Sequence, residues 1–219
     1  MANNEVKVAL PSPLENLQLP DPALVTYYDN AINHRCFWID YDIDETLLEL
    51  ARNIIAINRQ DNGVPVEQRK PIVIWVFSDG GDLDSTFSFL DICALSQTPI
   101  ITINAGISMS AGLLILLAGH KRYCLPRSQA LIHTGSLSGL SGTYEQTEAY
   151  MNTYKKSVEV MQEFVLNRTR IDKKEFSKKK AKDWYLNAAE QIEKGVVDEI
   201  LDVGQPLRAQ PQGEFRGTA

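Results

Sequence analysis

Apolar positions along this chain fall into two alternating rhythms. PIVIWVF (71–77) and PIITINA (99–105) are almost uninterrupted apolar runs, the mark of strands buried on both faces. CFWIDY (36–41) is a shorter run of the same kind. Between them, DETLLELARNIIAINRQ (44–60) repeats its apolar residues at helical spacing, with Asp44 placed to cap it, and Ser85–Ser96 reads as another helix. SAGLLILLAG is apolar all round and predicts a short buried helix. KRYCLPRSQALIH (121–133) holds two short strands, and a long amphipathic helix runs over 143–168. Shorter helices follow near 172–181 and 188–194, then VVDEILDV. Strand and helix in alternation predict an α/β domain of βαβ units over 25–204. Residues 1–24 carry four prolines and predict an irregular arm; the polar, Pro- and Gly-containing 205–219 predicts a flexible tail.

Composition narrows the function classes. The 219 residues are 44% hydrophobic and 23% charged, enough for one sizeable core. A net charge of −6 and a pI near 5.1 argue against a general nucleic-acid surface. Three widely spaced cysteines suggest neither a disulfide framework nor a CxxC metal pair. The N-terminus lacks the basic start and apolar core of a signal peptide. The apolar run Leu113–Ala118 is far short of the ~20 residues that span a bilayer. The expectation is a cytoplasmic protein that engages neither membrane nor nucleic acid and uses no cofactor or metal.

Two turns sit where α/β sheets place their active sites, at the carboxyl ends of buried strands. SDGGD (78–82) follows PIVIWVF, and its glycines leave backbone N–H groups bare for an oxyanion. The plainer reading is a tight turn with Asp82 or Asp84 capping the next helix. GISMSAG (106–112) follows PIITINA and puts serines at a strand-to-helix junction, the logic of a nucleophile elbow without its G-x-S-x-G spelling. Here the plainer reading is helix capping by Ser108 or Ser110. A nucleophilic serine needs a base, and there are three histidines. His34 precedes the first strand. His120 lies at the far end of the apolar helix, roughly 15–18 Å from Ser108 at 1.5 Å per residue. His133 closes QALIH and is the good candidate.

Taken together, these segments resemble the Clp protease proteolytic subunits (ClpP), a family of self-compartmentalised serine peptidases, over roughly residues 27–203. SDGGD is similar to that family's SPGG turn, GISMSAG to its ASMGA nucleophile segment, and KRYCLPRSQALIH to KRFCLPNSRVMIH. DWYLNAAEQIEKGVVDEI resembles the family's D-x-F-x-(S/N)-A-x-E end. The resemblance implies a ClpP/crotonase-like spiral of βαβ units with a protruding long-helix handle. It implies Ser108 as nucleophile, His133 as general base, and the N–H groups of Gly81 and Met109 as the oxyanion hole. Ser108 would stand at the start of a helix, and Ser110, where the family has Gly, would serve packing or capping.

The third triad position departs from the pattern. The family's aspartate falls on Lys179, inside SKKKAKD, and a lysine cannot orient an imidazole as a carboxylate does. Three readings stay open. The register slips and Asp183 or Asp172 serves, although Asp172 also fits a capping box in DKKE. Or His133 works in a slow dyad; or the chain is a weakly catalytic or silent member serving assembly. Two further alternatives are a crotonase-like acyl-CoA enzyme and a related peptidase outside the Clp system. The resemblance further implies two stacked heptameric rings joined by the 143–168 handle, whose Tyr150, Tyr154, Val158, Met161, Val165 and Leu166 give it an apolar face. The substrate would be unfolded polypeptide, and partners a Clp-type AAA+ ATPase or a ClpP paralogue. Trp75 and Leu95 fall near the family's ATPase-docking positions and read equally as core. The lysines at 178–180 and 182 read as a solvated helix face, with a partner contact as the alternative. No GxxxxGK[ST] gives the chain an ATP site of its own.

Overall fold

The computed structural model describes residues 21–135, 141–179, 182–201 and 204, and the chain divides after His34 into two units. In the first, Asp21 accepts from the Ala23 N–H at 2.8 Å and Pro22 occupies the first turn, so helix α1 runs Pro22–Asp29. A π-helical turn, Asn30–His34, follows. Helix α1 takes in the last three residues of the arm expected over 1–24; residues 1–20 and the tail 205–219 lie outside the described residues.

The second unit is the expected α/β fold. Its strands are β1 (Cys36–Ile39), β2 (Ile72–Ser78), β3 (Ile100–Met109), β4 (Lys121–Cys124), β5 (Gln129–Ile132), β6 (Trp184–Asn187) and β7 (Glu199–Ile200). The order β1-β2-β3-β4-β7 is parallel throughout. Helices α2 (Leu47–Gln60), α3 (Leu83–Leu95) and α4 (Ala111–Ala118) make the crossovers between β1, β2, β3 and β4. Every residue of α4 is buried, which explains its lack of a polar face. After β5 come α5 (Tyr144–Arg168), α6 (Lys173–Lys179) and α7 (Ala188–Glu193).

Three expectations need correction. Asp44 does not cap α2: its carboxylate accepts from the N–H and hydroxyl of Thr46 in an Asx turn, and the helix begins at Leu47. The second buried strand does not stop at residue 105. It runs to Met109 because its last residues find a new partner, β5, with Ile107, Ser108 and Met109 opposite Gln129, Ala130 and Leu131. DWYLN was not expected as a strand, yet β6 pairs antiparallel with β5.

Helix α5 opens with a capping box, Thr143 and Gln146 exchanging side-chain and backbone bonds. Of its expected apolar face, Met161 and Val165 are buried while Tyr150 is exposed. Its far end is tied down by Arg168, whose guanidinium donates to the carbonyls of Leu117 (2.9 Å) and Gly119 (2.7 Å) at the end of α4. Beside it His120 accepts from the Ile100 N–H through Nδ1 at 3.0 Å. Burial, helped by the Arg168 charge, holds the His120 imidazole below its ordinary pKa of 6.5.

The unfolded chain therefore takes a proton at His120 before the folded one does. Stability from this site is complete above pH 6.5 and is lost as pH falls toward the depressed folded value. Urea midpoints should fall between pH 7 and pH 5 in the wild type, and this part of the fall should vanish in His120→Asn, which keeps an acceptor but does not titrate. An identical pH slope in the two proteins would remove His120 from the account.

Candidate active site

The two turns singled out in the sequence meet in space. A Cβ placed on Gly80 would stand 2.7 Å from the Ser110 Cβ and 2.9 Å from the Met109 carbonyl. The SDGG turn thus lies directly against the end of β3. Ser78, buried, holds its shape: the hydroxyl donates to the Tyr41 carbonyl at 2.7 Å and accepts from the Gly80 N–H at 3.2 Å. On the other side the Gly80 carbonyl accepts from Ile43, and the Ile43 carbonyl accepts from Asp82 at 2.7 Å. The N–H groups of Gly80 and Asp82 are committed, and Gly81 stands exposed between them. Asp82 also caps α3 through the Ser85 N–H, so the plainer reading of this turn holds.

Ser108 is the last residue but one of β3, not the start of a helix as expected. Ser110 occupies the N-cap of α4, and its side chain makes no capping bond. It takes φ 52 and ψ −120, an L-residue conformation that costs roughly 1–3 kcal/mol. The strain of this strand-to-helix turn therefore falls two residues beyond Ser108. The Ser110 N–H donates to Leu131 on β5 at 3.2 Å. Strand alternation then turns the Met109 N–H to the opposite side, toward the glycine turn.

His133 follows β5, the strand beside β3. Among the described residues, the buried side-chain nitrogen and oxygen atoms without a hydrogen-bond partner are Ser108 Oγ and His133 Nε2. Nearly all buried polar groups in proteins are satisfied, and an orphan costs about 1–3 kcal/mol. Both stand toward the carboxyl ends of the neighbouring strands β3 and β5. The other two histidines are used structurally: His120 accepts from Ile100, and His34 pairs with Asp29 at 3.6 Å.

On the far side of His133, Nδ1 lies 3.9 Å from the Asp183 carboxylate. The pairing of β5 with β6 explains this. Ile132 stands opposite Trp184, so the next pair outward is His133 and Asp183, on a shared face of the ribbon. Asp172 is engaged elsewhere, accepting from the Glu175 N–H at 2.7 Å to cap α6. Lys179 pairs with Glu175 at 3.8 Å and lies 3.9 Å from the centre of the Trp184 ring.

The sequence profile of the Clp protease family matches residues 23–204. The chain belongs to the Clp protease family. It is 35% identical over 133 residues to the ATP-dependent Clp protease proteolytic subunit 2 of Treponema denticola, covering 60% of this chain and 66% of that subunit, just under two thirds. The corresponding subunit of Treponema pallidum is 30% identical over 61% of this chain and 67% of its own length. That of Tropheryma whipplei is 24% identical, over 80% of this chain and 95% of its own.

Of the positions that the resemblance singled out, Gly81 and Met109 lie on the two facing turns, Ser108 on the end of β3 and His133 just after the adjacent β5, while Lys179 lies against Trp184. Outside this site, Leu95 is 81% exposed, so it is not a core residue. It lines a cavity between α2 and α3 with Ile54, Ile55, Arg59 and Ile92. Trp75 is half-buried and stacks on Trp38 with ring centres 5.2 Å apart. Sequence reasoning missed Asn104, buried beneath the site, and β6, which carries Asp183 to His133. The signal for Asn104 was one polar residue inside PIITINA.

Gly81 has φ 149, and any Cβ on it would collide with the Ile43 backbone. Gly81→Ala should lower unfolding free energy by roughly 3 kcal/mol, read from denaturant melts. An unchanged midpoint would show that the turn relaxes freely and does not hold its N–H in place.

Proposed function

We propose that this protein is a serine endopeptidase that cleaves unfolded polypeptide inside an oligomeric chamber. The observation that carries this reading is the pair of buried, unpartnered atoms, Ser108 Oγ and His133 Nε2. A nucleophile and its base are left open to substrate, and the catalytic hydrogen bond tightens only when substrate arrives. Ser108 Oγ attacks the peptide carbonyl carbon while His133 Nε2 takes its proton. The carbonyl oxygen becomes an oxyanion between the N–H groups of Gly81 and Met109. His133 then hands the proton to the leaving amine, and water releases the acyl group from Ser108 by the reverse path. Asp183 orients the imidazole through Nδ1 and balances its charge during attack.

The long helix α5, with exposed Tyr144, Tyr150 and Met151 on its first half, supports the reading of two stacked heptameric rings joined through this helix. The cavity between α2 and α3, where Ile54, Ile55, Ile92 and Leu95 stand beside Asn58, Arg59 and Asn62, supports docking of an unfolding ATPase. The relatives' names describe ATP-dependent proteases. A cytoplasmic location fits this role; among the described residues no helix is long and apolar enough to cross a membrane. One observation favours a second reading, a silent subunit that serves assembly: the lysine at position 179, where the family resemblance places an aspartate.

A fluorophosphonate decides between them. Intact mass should show one adduct on wild type and on Ser110→Ala, and none on Ser108→Ala. Asp183→Asn should lower kcat on a short peptide by about 10²- to 10⁴-fold. Sedimentation should show a ring assembly rather than the 24.5 kDa monomer. An assembled wild type that takes no adduct would select the silent subunit, and a monomer would sink the chamber.

A further inference from the structure

We propose that Lys179 is a positioning residue that holds Asp183 against His133; the proposal rests on the reading of Asp183 as the partner of the catalytic base. Asp183 sits just outside β6, one pair beyond the last regular pair of the ribbon, and its side chain is 59% exposed. A carboxylate on a fraying strand end has rotamer and backbone freedom to lose before it can orient an imidazole. At 3.9 Å from Nδ1 it is within ion-pair range without being fixed by that contact. Something else must hold the end of the strand.

Lys179 grips both sides of Asp183. Its carbonyl accepts from the Lys182 N–H at 3.0 Å, which ties Lys182 to the end of α6. Its ammonium lies over the ring of buried Trp184, 3.9 Å from the centre and well inside the ~6 Å reach of a cation–π contact. Asp183 is the residue between these two anchored neighbours. Trp184 starts the strand that sets the register, so fixing its ring fixes the step at which Asp183 faces His133.

The charge is arranged to do no harm. A free ammonium beside the site would draw the Asp183 carboxylate away and disfavour an imidazolium. Lys179 instead has Glu175 one turn earlier at 3.8 Å, and that carboxylate also binds Lys194 at 2.9 Å. By strand alternation Trp184 faces the opposite side of the ribbon from Asp183. The ammonium is thereby stationed on the far face, where it can anchor the strand without competing with His133.

The test uses the full-length assembled protein with Lys179→Met, Lys179→Arg, Asp183→Asn and the Met–Asn double variant. Lys179→Met should lower kcat on a short peptide by roughly 10- to 100-fold with KM unchanged. Lys179→Arg, which keeps a cation over the ring, should restore most of the rate. In the Asp183→Asn background, Lys179→Met should cost nothing further. The ring Cε1–Hε1 signal of His133 in an NMR spectrum with only three histidines should move in Lys179→Met to its position in Asp183→Asn. A wild-type rate or unmoved His133 signal in Lys179→Met, an equal loss in both backgrounds, or failure of arginine to rescue a folded protein would overturn the proposal. Should the wild type neither cleave nor take a fluorophosphonate, the peptidase reading falls by itself, and the His133 signal still decides whether Lys179 acts on Asp183.

Discussion

The site depends on a change of partner along β3. From Ile101 to Asn104 this strand pairs with β4, and from Ile107 to Met109 it pairs with β5. The switch is held by Asn104, a fully buried amide at the junction. Its nitrogen donates to the Gln129 carbonyl at 2.9 Å and to Gln191 Oε1 at 3.1 Å, and its oxygen accepts from the Gly106 N–H at 3.1 Å. Gln191, also buried, carries the chain of bonds on to Ser128 and to the Leu186 carbonyl of β6. One network thus joins β3, the start of β5, and the β6–α7 corner. A buried amide left unsatisfied costs about 1–3 kcal/mol per group, so the arrangement is specified as a whole or not at all. Without the switch, β3 would end with β4, and Ser108 would have no strand beside it carrying a histidine.

Satisfaction below contrasts with want of partners above. Asn104 and Gln191 have their groups met, whereas Ser108 Oγ, four residues beyond Asn104 on β3, and His133 Nε2, just after β5, do not. Packing failure would scatter orphan atoms through the core; among the described residues these two fall on the proposed nucleophile and base. Ser110 takes a left-handed conformation nearby as well, and the two glycines of the facing turn share its positive φ. Stability is given up locally, in a site framed by strands that are otherwise apolar and fully paired.

Much of this was legible in the sequence because the signals were local. Apolar runs gave β2 and β3, all-round apolarity gave α4, and Thr143 opened α5 where the helical period began. Ser108 and His133 stood out as candidates because each lies near the end of a strongly apolar run. The strand β6 escaped because four residues, two of them aromatic, carry no period and pair only with a distant segment. The length of β3 escaped for a related reason: AGISM looks like a turn until β5 lies beside it. Asp44 misled because an Asx turn and a helix cap use the same residue types at nearly the same place.

Asp183, proposed above as the partner of His133, shows most clearly what sequence position leaves open. A carboxylate orients a histidine by where it stands in space, and along an antiparallel ribbon that is set by register alone. Once Ile132 faces Trp184, the residue before Trp184 faces the residue after Ile132, whatever the family pattern places four residues upstream. The aspartate can therefore move along the chain without leaving the site, provided the strand end that carries it is held. Position 179 is then released from bearing a carboxylate. A long cation there can do what a short anion could not and lie on the ring of Trp184, the first residue of the strand that sets the proposed register.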